Sequence, residues 1–249
     1  MGKVDYTALA KSYNTLHYRQ QLLQIVETCY GKCKTDGLSK YQLHLKINKA
    51  LFSNYHGEES LKYKLATTFR KKGYVAAFEV RAKNSRADFV VINGDSKCFE
   101  VKSKIDTLRR LGKQSDDYHR IFEYNTVVID AKHLRETECL VPAHYGIWYF
   151  EGKKRVEYRS AIKSPYLNPL AQLEVLTKKE RLSLFKTAVY TEIMGEYTAQ
   201  EINERLKIAL KKRYEARWSF VLAHWKHILP IDLQFFFNTN VDPLLIYQD

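Results

Sequence analysis

Apolar residues recur every three or four positions through residues 5–34 (Leu9, Tyr13, Leu16, Leu23, Val26, Tyr30), a helical spacing. Gly31 and the Thr35-Asp36-Gly37 cluster interrupt it. A second helix is predicted over 39–53, with Ser39 as N-cap and Leu43, Ile47, Ala50 and Leu51 inward. Residues 58–72 form an amphipathic helix with Leu61, Leu65 and Phe69 on one stripe, closed by Gly73. The period then falls to two. Tyr74–Arg81, Ala87–Asn93 and Lys97–Ser103 read as strands, followed by a helix over 106–123 opened by Asp106 or Thr107. Strand Asn125–Asp130 and a helix from Ala131 come next, then a hairpin of Tyr145–Phe150 and Arg155–Arg159.

The central order is α-β-β-β-α-β, with further strands appended. Antiparallel strands plus a crossover helix imply an α/β fold built on a mixed sheet flanked by helices. Three regions follow: a helical N-terminal arm (1–56), the core (57–160), and a linker with a helical C-terminal region (161–249). The two N-terminal helices fit a helical arm packed on the core better than a helix-turn-helix reader of DNA. Residues 160–177 hold two of the five prolines and little periodicity, so they read as linker. Beyond lie a helix over 178–194 and a longer one opened by the capping box Thr198-Ala-Gln-Glu201 and ended by Pro230.

Composition changes one part of this picture. At 249 residues, 45% apolar and 28% charged, the chain resembles an ordinary soluble protein, but its net charge is +13. That excess suits a polyanion, and nucleic acid leads a membrane surface because no amphipathic anchor or lipidation motif appears. Lys207, Lys211, Lys212 and Arg213 are predicted to line the exposed side of the last helix. No leader-like segment or membrane-length apolar run stands out, and the four cysteines are too few for a disulfide framework. A reduced, cytoplasmic protein is expected. Cys29 and Cys33 read as half-buried helix residues rather than a metal pair.

The chemistry concentrates in residues 86–102. If Ile92 pairs with Ser96 across an Asn93–Asp95 loop, Asp88 lies opposite Glu100, and Lys102 shares the Glu100 face. Two carboxylates converging on an apolar hairpin are unfavourable without a cation between them. Mg²⁺ or Mn²⁺ bound by Asp88 and Glu100 is therefore expected, with the Val101 carbonyl as a further ligand and Glu79 as a third acid. Such a site suits hydrolysis of an anionic diester, with Lys102 beside the attacking water. Gln114 and Tyr118, four apart on the following helix, turn toward the sheet and need a polar partner there.

These residues resemble the PD-(D/E)XK nuclease superfamily, the restriction-endonuclease-like fold with an αβββαβ core. Asp88, Glu100 and Lys102 match its signature, with Ala87 in place of the proline. Gln114-x-x-x-Tyr118 is similar to the QxxxY motif of RecB-like members. The run Phe99–Phe122 is similar to a poorly characterised bacterial branch with a Glu-Ile-Lys-Ser-Asp-x-Asp-Thr-Leu-x-Arg-Leu core, in which an acid occupies the Glu79 position. The resemblance spans residues 57–150. It implies a Mg²⁺-dependent DNA nuclease that leaves a 5′-phosphate and a 3′-hydroxyl, with Asp88, Glu100, Val101, Glu79 and Glu58 as metal ligands. Double-stranded DNA is the implied partner and a homodimer a further implication. The rival readings are a catalytically inactive nucleic-acid-binding subunit of the same fold and an RNA-processing nuclease.

Overall fold

The computed structural model describes residues 4–31, 35 and 37–248. It is an α/β fold, as the patterning predicts. Six strands, β1 (Val75–Ala82), β2 (Ser85–Asn93), β3 (Asp95–Lys102), β4 (Tyr124–Ile129), β5 (Gly146–Glu151) and β6 (Lys154–Arg159), form one sheet in chain order. β1–β2–β3 is an antiparallel meander; β4 runs parallel to β3, and β5 to β4, before β6 turns back. Helices cover this sheet, which explains why β2 reads apolar at nearly every position rather than alternately.

Helices α1 (Tyr6–Ser12), α2 (Arg19–Tyr30) and α3 (Lys40–Asn54) form the N-terminal arm, with their own apolar cluster around Leu22, Val26, Leu43 and Ile47. The expected helix over 5–34 is thus two helices, the first closed at Tyr13 in extended backbone. Ser39 caps α3 by accepting from the Gln42 N–H. Cys29 is half-buried on α2, whereas Cys33 and Asp36 lie outside the described residues. Helix α4 (Glu58–Thr68) stops before the predicted Lys72.

Helix α5 (Leu111–Tyr118) is shorter than the predicted 106–123. Asp106 does not open it: its carboxylate accepts from the Ser103 N–H (2.7 Å) and hydroxyl (2.5 Å), so it caps the turn leaving β3 instead. Helix α6 (Leu134–Leu140) leads to β5.

The segment expected as linker contains helix α7 (Pro169–Val175), capped by Asn168 and buried through Ala171, Leu173 and Val175. Two prolines disguised a helix start, since Pro169 occupies its first turn. The predicted helix 178–194 is broken into α8 (Lys178–Phe185) and α9 (Tyr190–Glu196) by Lys186 in left-handed backbone (φ 66°). The capping box at Thr198 opens α10 (Ala199–Ala223), and α11 (Leu233–Thr239) and α12 (Pro243–Tyr247) follow.

One core joins the sheet to the C-terminal helices. Phe78, Phe89 and Phe99 form a row across β1–β3; Phe69, which caps the end of α4, Trp218 of α10 and Phe237 of α11 pack their rings against it. Asp88 and Glu100, one residue out of phase with that row, face the other side. Two of the four cations predicted on the exposed side of α10 are turned elsewhere. Lys207 is buried and donates to the Gly94 carbonyl (2.7 Å), and Arg213 pairs with Glu180 (2.8 Å). Among the described residues no helix is long and apolar enough to cross a membrane.

Candidate active site

The β2–β3 turn sets the geometry. Ile92 pairs with Ser96, as the parity reading requires, and Asn93 with Asp95, leaving Gly94 alone at the tip. Its φ of 80° is the left-handed backbone that glycine adopts without a Cβ penalty. Carrying the register one step past Phe89↔Phe99 sets Asp88 against Glu100. Asp88 Oδ2 accepts the Val101 N–H at 2.7 Å, so its side chain continues the ladder where the backbone pairing ends.

Glu100 is held from three sides. Lys102 Nζ and Gln114 Nε2 donate to Oε1, each at 2.5 Å, and the Tyr118 hydroxyl reaches Oε2 at 2.8 Å. That hydroxyl is also 2.9 Å from the Arg86 carbonyl, but it has one proton, and a carboxylate is the stronger acceptor. The residues predicted from the sequence therefore meet: Glu100, Lys102, Gln114 and Tyr118 in one buried network, Asp88 beside it.

Glu79 and Glu58 arrive by a route the sequence reading missed. Lys62, on α4 and almost fully buried, points its ammonium at three carboxylates: Glu79 Oε1 at 2.6 Å, Glu58 Oε2 at 3.3 Å and Asp88 Oδ1 at 3.5 Å. It also donates to Gln234 Oε1 of α11 at 3.2 Å. A signal for Lys62 exists, because Glu58, Lys62, Leu65 and Phe69 fall on one helical stripe, and a lysine there must find an acid. Gln234 had none, being far along the chain. Glu79 adopts left-handed backbone (φ 54°) in the middle of β1, a conformation costing on the order of 1 kcal/mol for a residue with a Cβ.

The electrostatics follow from burial. Desolvation, and then the neighbouring Glu100 carboxylate, push the Asp88 carboxyl well above the usual carboxylate range, against the pull of Lys62. Burial disfavours the Lys62 ammonium, but Asp88, Glu58 and Glu79 outweigh it and hold the lysine protonated beyond its ordinary range. Burial, then Glu100, likewise raise the Tyr118 hydroxyl, keeping it a donor.

These groups open into a cleft of about 860 Å³. Glu58, Glu79, Asp88, Glu100 and the Val101 backbone line its acidic part; Arg81, Lys83, Arg86, Arg110 and Lys113 line the rest, all exposed. Among the described residues no group of three or more His, Cys, Asp or Glu side chains is arranged to hold a metal ion. Lysines bridge these acids instead, Lys62 through one oxygen each of Glu58, Glu79 and Asp88, and Lys102 through Oε1 of Glu100. In kind, the donors suit a hard divalent cation. They are all oxygens, three of them already hold one cation, and the buried Gln114 Oε1, which lines the cleft, has no partner.

Comparison with known proteins bears on family. Protein cII of Enterobacteria phage P4 is 26% identical over 180 residues, covering 64% of this chain and 68% of the phage protein. A solved protein of unknown function from Silicibacter pomeroyi, SPO1766, is 21% identical with a TM-score of 0.36, over 46% of this chain and 77% of that one. The family described as bacteriophage P4 protein cII matches residues 58–236, from the first turn of α4 into α11. On that match, spanning well over half its length, the chain belongs to the bacteriophage P4 cII protein family.

Proposed function

We propose that the chain is a Mg²⁺-dependent nuclease that hydrolyses phosphodiester bonds of double-stranded DNA. The observation that carries this reading is Glu100, fixed by Lys102, Gln114 and Tyr118 beside Asp88 at the floor of a cation-rimmed cleft. Asp88, Glu100, Glu79 and Glu58 would hold the ion, with the Val101 carbonyl as a further ligand. Bound there, Mg²⁺ supplies the charge that acidifies a water and screens the phosphoryl group.

The protein's own groups do the rest. Arg81, Lys83, Arg86, Arg110 and Lys113 hold the phosphate chain across the cleft mouth. The Val101 N–H fixes Asp88, and Gln114 and Tyr118 fix Glu100, so neither acid reorganises when substrate enters. Lys102 orients the attacking water and places its ammonium beside the phosphorus as negative charge builds on the equatorial oxygens. The products are a 5′-phosphate and a 3′-hydroxyl.

Lys62 favours a second reading. A lysine already neutralising three of the acids suits a catalytically inactive subunit that binds nucleic acid with this cleft. Plasmid DNA incubated with Mg²⁺ and either the unmodified chain or Lys102→Ala separates the two. Cutting by the former alone supports catalysis, and equal cutting by both overturns the assignment. Salt-sensitive binding without cutting selects the inactive reading. Labelled single- and double-stranded DNA and RNA, run in parallel, distinguish the RNA-processing alternative.

A further inference from the structure

We infer that Lys62 is the resident counter-ion of the acidic floor, and that a divalent cation enters by displacing its ammonium toward Gln234. The inference rests on the nuclease reading and concerns how that site is regulated. Three carboxylates from three different segments converge on one ammonium: Glu58 from the same helix, Glu79 from β1 and Asp88 from β2. Their distances rank them, with Glu79 the tightest at 2.6 Å and Asp88 the loosest at 3.5 Å. Without a cation these acids would repel one another, most of all at Asp88, the most buried of the three. Lys62 thus does in the resting protein what a divalent ion does in a loaded one.

The same ammonium already has a way out. Gln234 Oε1, at 3.2 Å, is a neutral acceptor outside the acidic group. A buried ammonium released from its carboxylates needs such an acceptor, because leaving it unpaired is strongly unfavourable. Gln234 comes from α11, which packs on β1 through Phe237 against Phe78. The C-terminal helices therefore set how readily the floor accepts metal. Glu100 has its own counter-charge in Lys102, so its share in holding the ion does not depend on moving Lys62.

The test is Mn²⁺ binding to the full chain, read by electron paramagnetic resonance, with melting temperature followed in parallel. Lys62→Met should bind Mn²⁺ at least about tenfold more tightly than the unmodified chain, because the competing charge is gone. Its melting temperature should fall in chelator and recover with Mn²⁺ more than the parent's rises. Lys62→Arg, which keeps the charge, should bind no more tightly than the parent; equal tightening in both variants would overturn the inference. Gln234→Leu, which leaves the acids intact, should weaken Mn²⁺ binding by about threefold or more, and provides the readout if Lys62→Met does not fold. Unchanged affinity in Gln234→Leu overturns the displacement. If the parent binds Mn²⁺ and Lys62→Met binds it equally, the nuclease reading stands and this inference falls. If neither binds, the metal-dependent reading fails and takes this inference with it.

Discussion

Tyr118 reports on the rigidity of Glu100 more cleanly than any acid in the cleft. Tyr118→Phe removes one of three donors from Glu100 and leaves the ring buried. The nuclease reading predicts a fall in kcat of about tenfold, the equivalent of about 1.4 kcal/mol, with the salt dependence of binding unchanged. Unaltered turnover would remove Tyr118 from the site. His44 carries a pH prediction of a different kind. It is fully buried; Nδ1 lies 2.7 Å from the Tyr13 hydroxyl, and Nε2 has no partner. Burial, then Lys40 and His17, lower its pKa to about 4. The unfolded chain then binds a proton that the folded chain refuses between about pH 6.5 and pH 4. Stability from this group is complete above that window and is lost as pH falls through it. Between pH 7 and pH 5 the loss should be on the order of 1–2 kcal/mol, and His44→Phe should abolish that part of the slope in urea titrations.

Strands and their parity were legible because a period of two and a one-glycine turn leave few registers open. Asp88, Glu100 and Lys102 could be placed from that parity alone. Helix ends were less legible. Asp106 served a turn of β3 rather than a helix, and the prolines before α7 hid a capped, buried helix. Lys62 is legible only in part, since its place on an apolar stripe calls for an acid but two of the acids it meets lie on β1 and β2. Gly146, opening β5, gives a test of how tightly the parallel strands are packed. A Cβ there would lie 2.7 Å from the Thr126 Oγ1 of β4 and 3.0 Å from the Ala161 nitrogen. Backbone cannot yield as a side chain can, so Gly146→Ala should cost about 2 kcal/mol in chemical denaturation. A neutral result would mean that β5 shifts freely against β4.

Asp232 ties the ends of the chain together. Fully buried, it accepts from Thr15 (2.8 Å), Tyr13 (3.0 Å), Asn48 (3.1 Å) and Tyr247 (2.8 Å), so α12, α3 and the segment joining α1 to α2 meet on one carboxylate. Asp232→Ala leaves those donors unsatisfied and should cost about 3 kcal/mol or more, with the N-terminal arm becoming the first site of proteolysis. The cleft rim makes a prediction about binding. If its five cations meet phosphates, the affinity for duplex DNA should fall with salt at a log–log slope of about −4 to −5, and Lys113→Ala should flatten it by about 1. Gln234 reaching Lys62, and Phe237 closing on Phe78, carry a practical consequence. A fragment trimmed to the α4–β6 segment would expose the Phe78–Phe89–Phe99 row to water and strip the acidic floor of its neutral neighbour. Such a truncation is a strong candidate for aggregation, so grafts of the α4–β6 segment onto other proteins should carry residues through α11 with them.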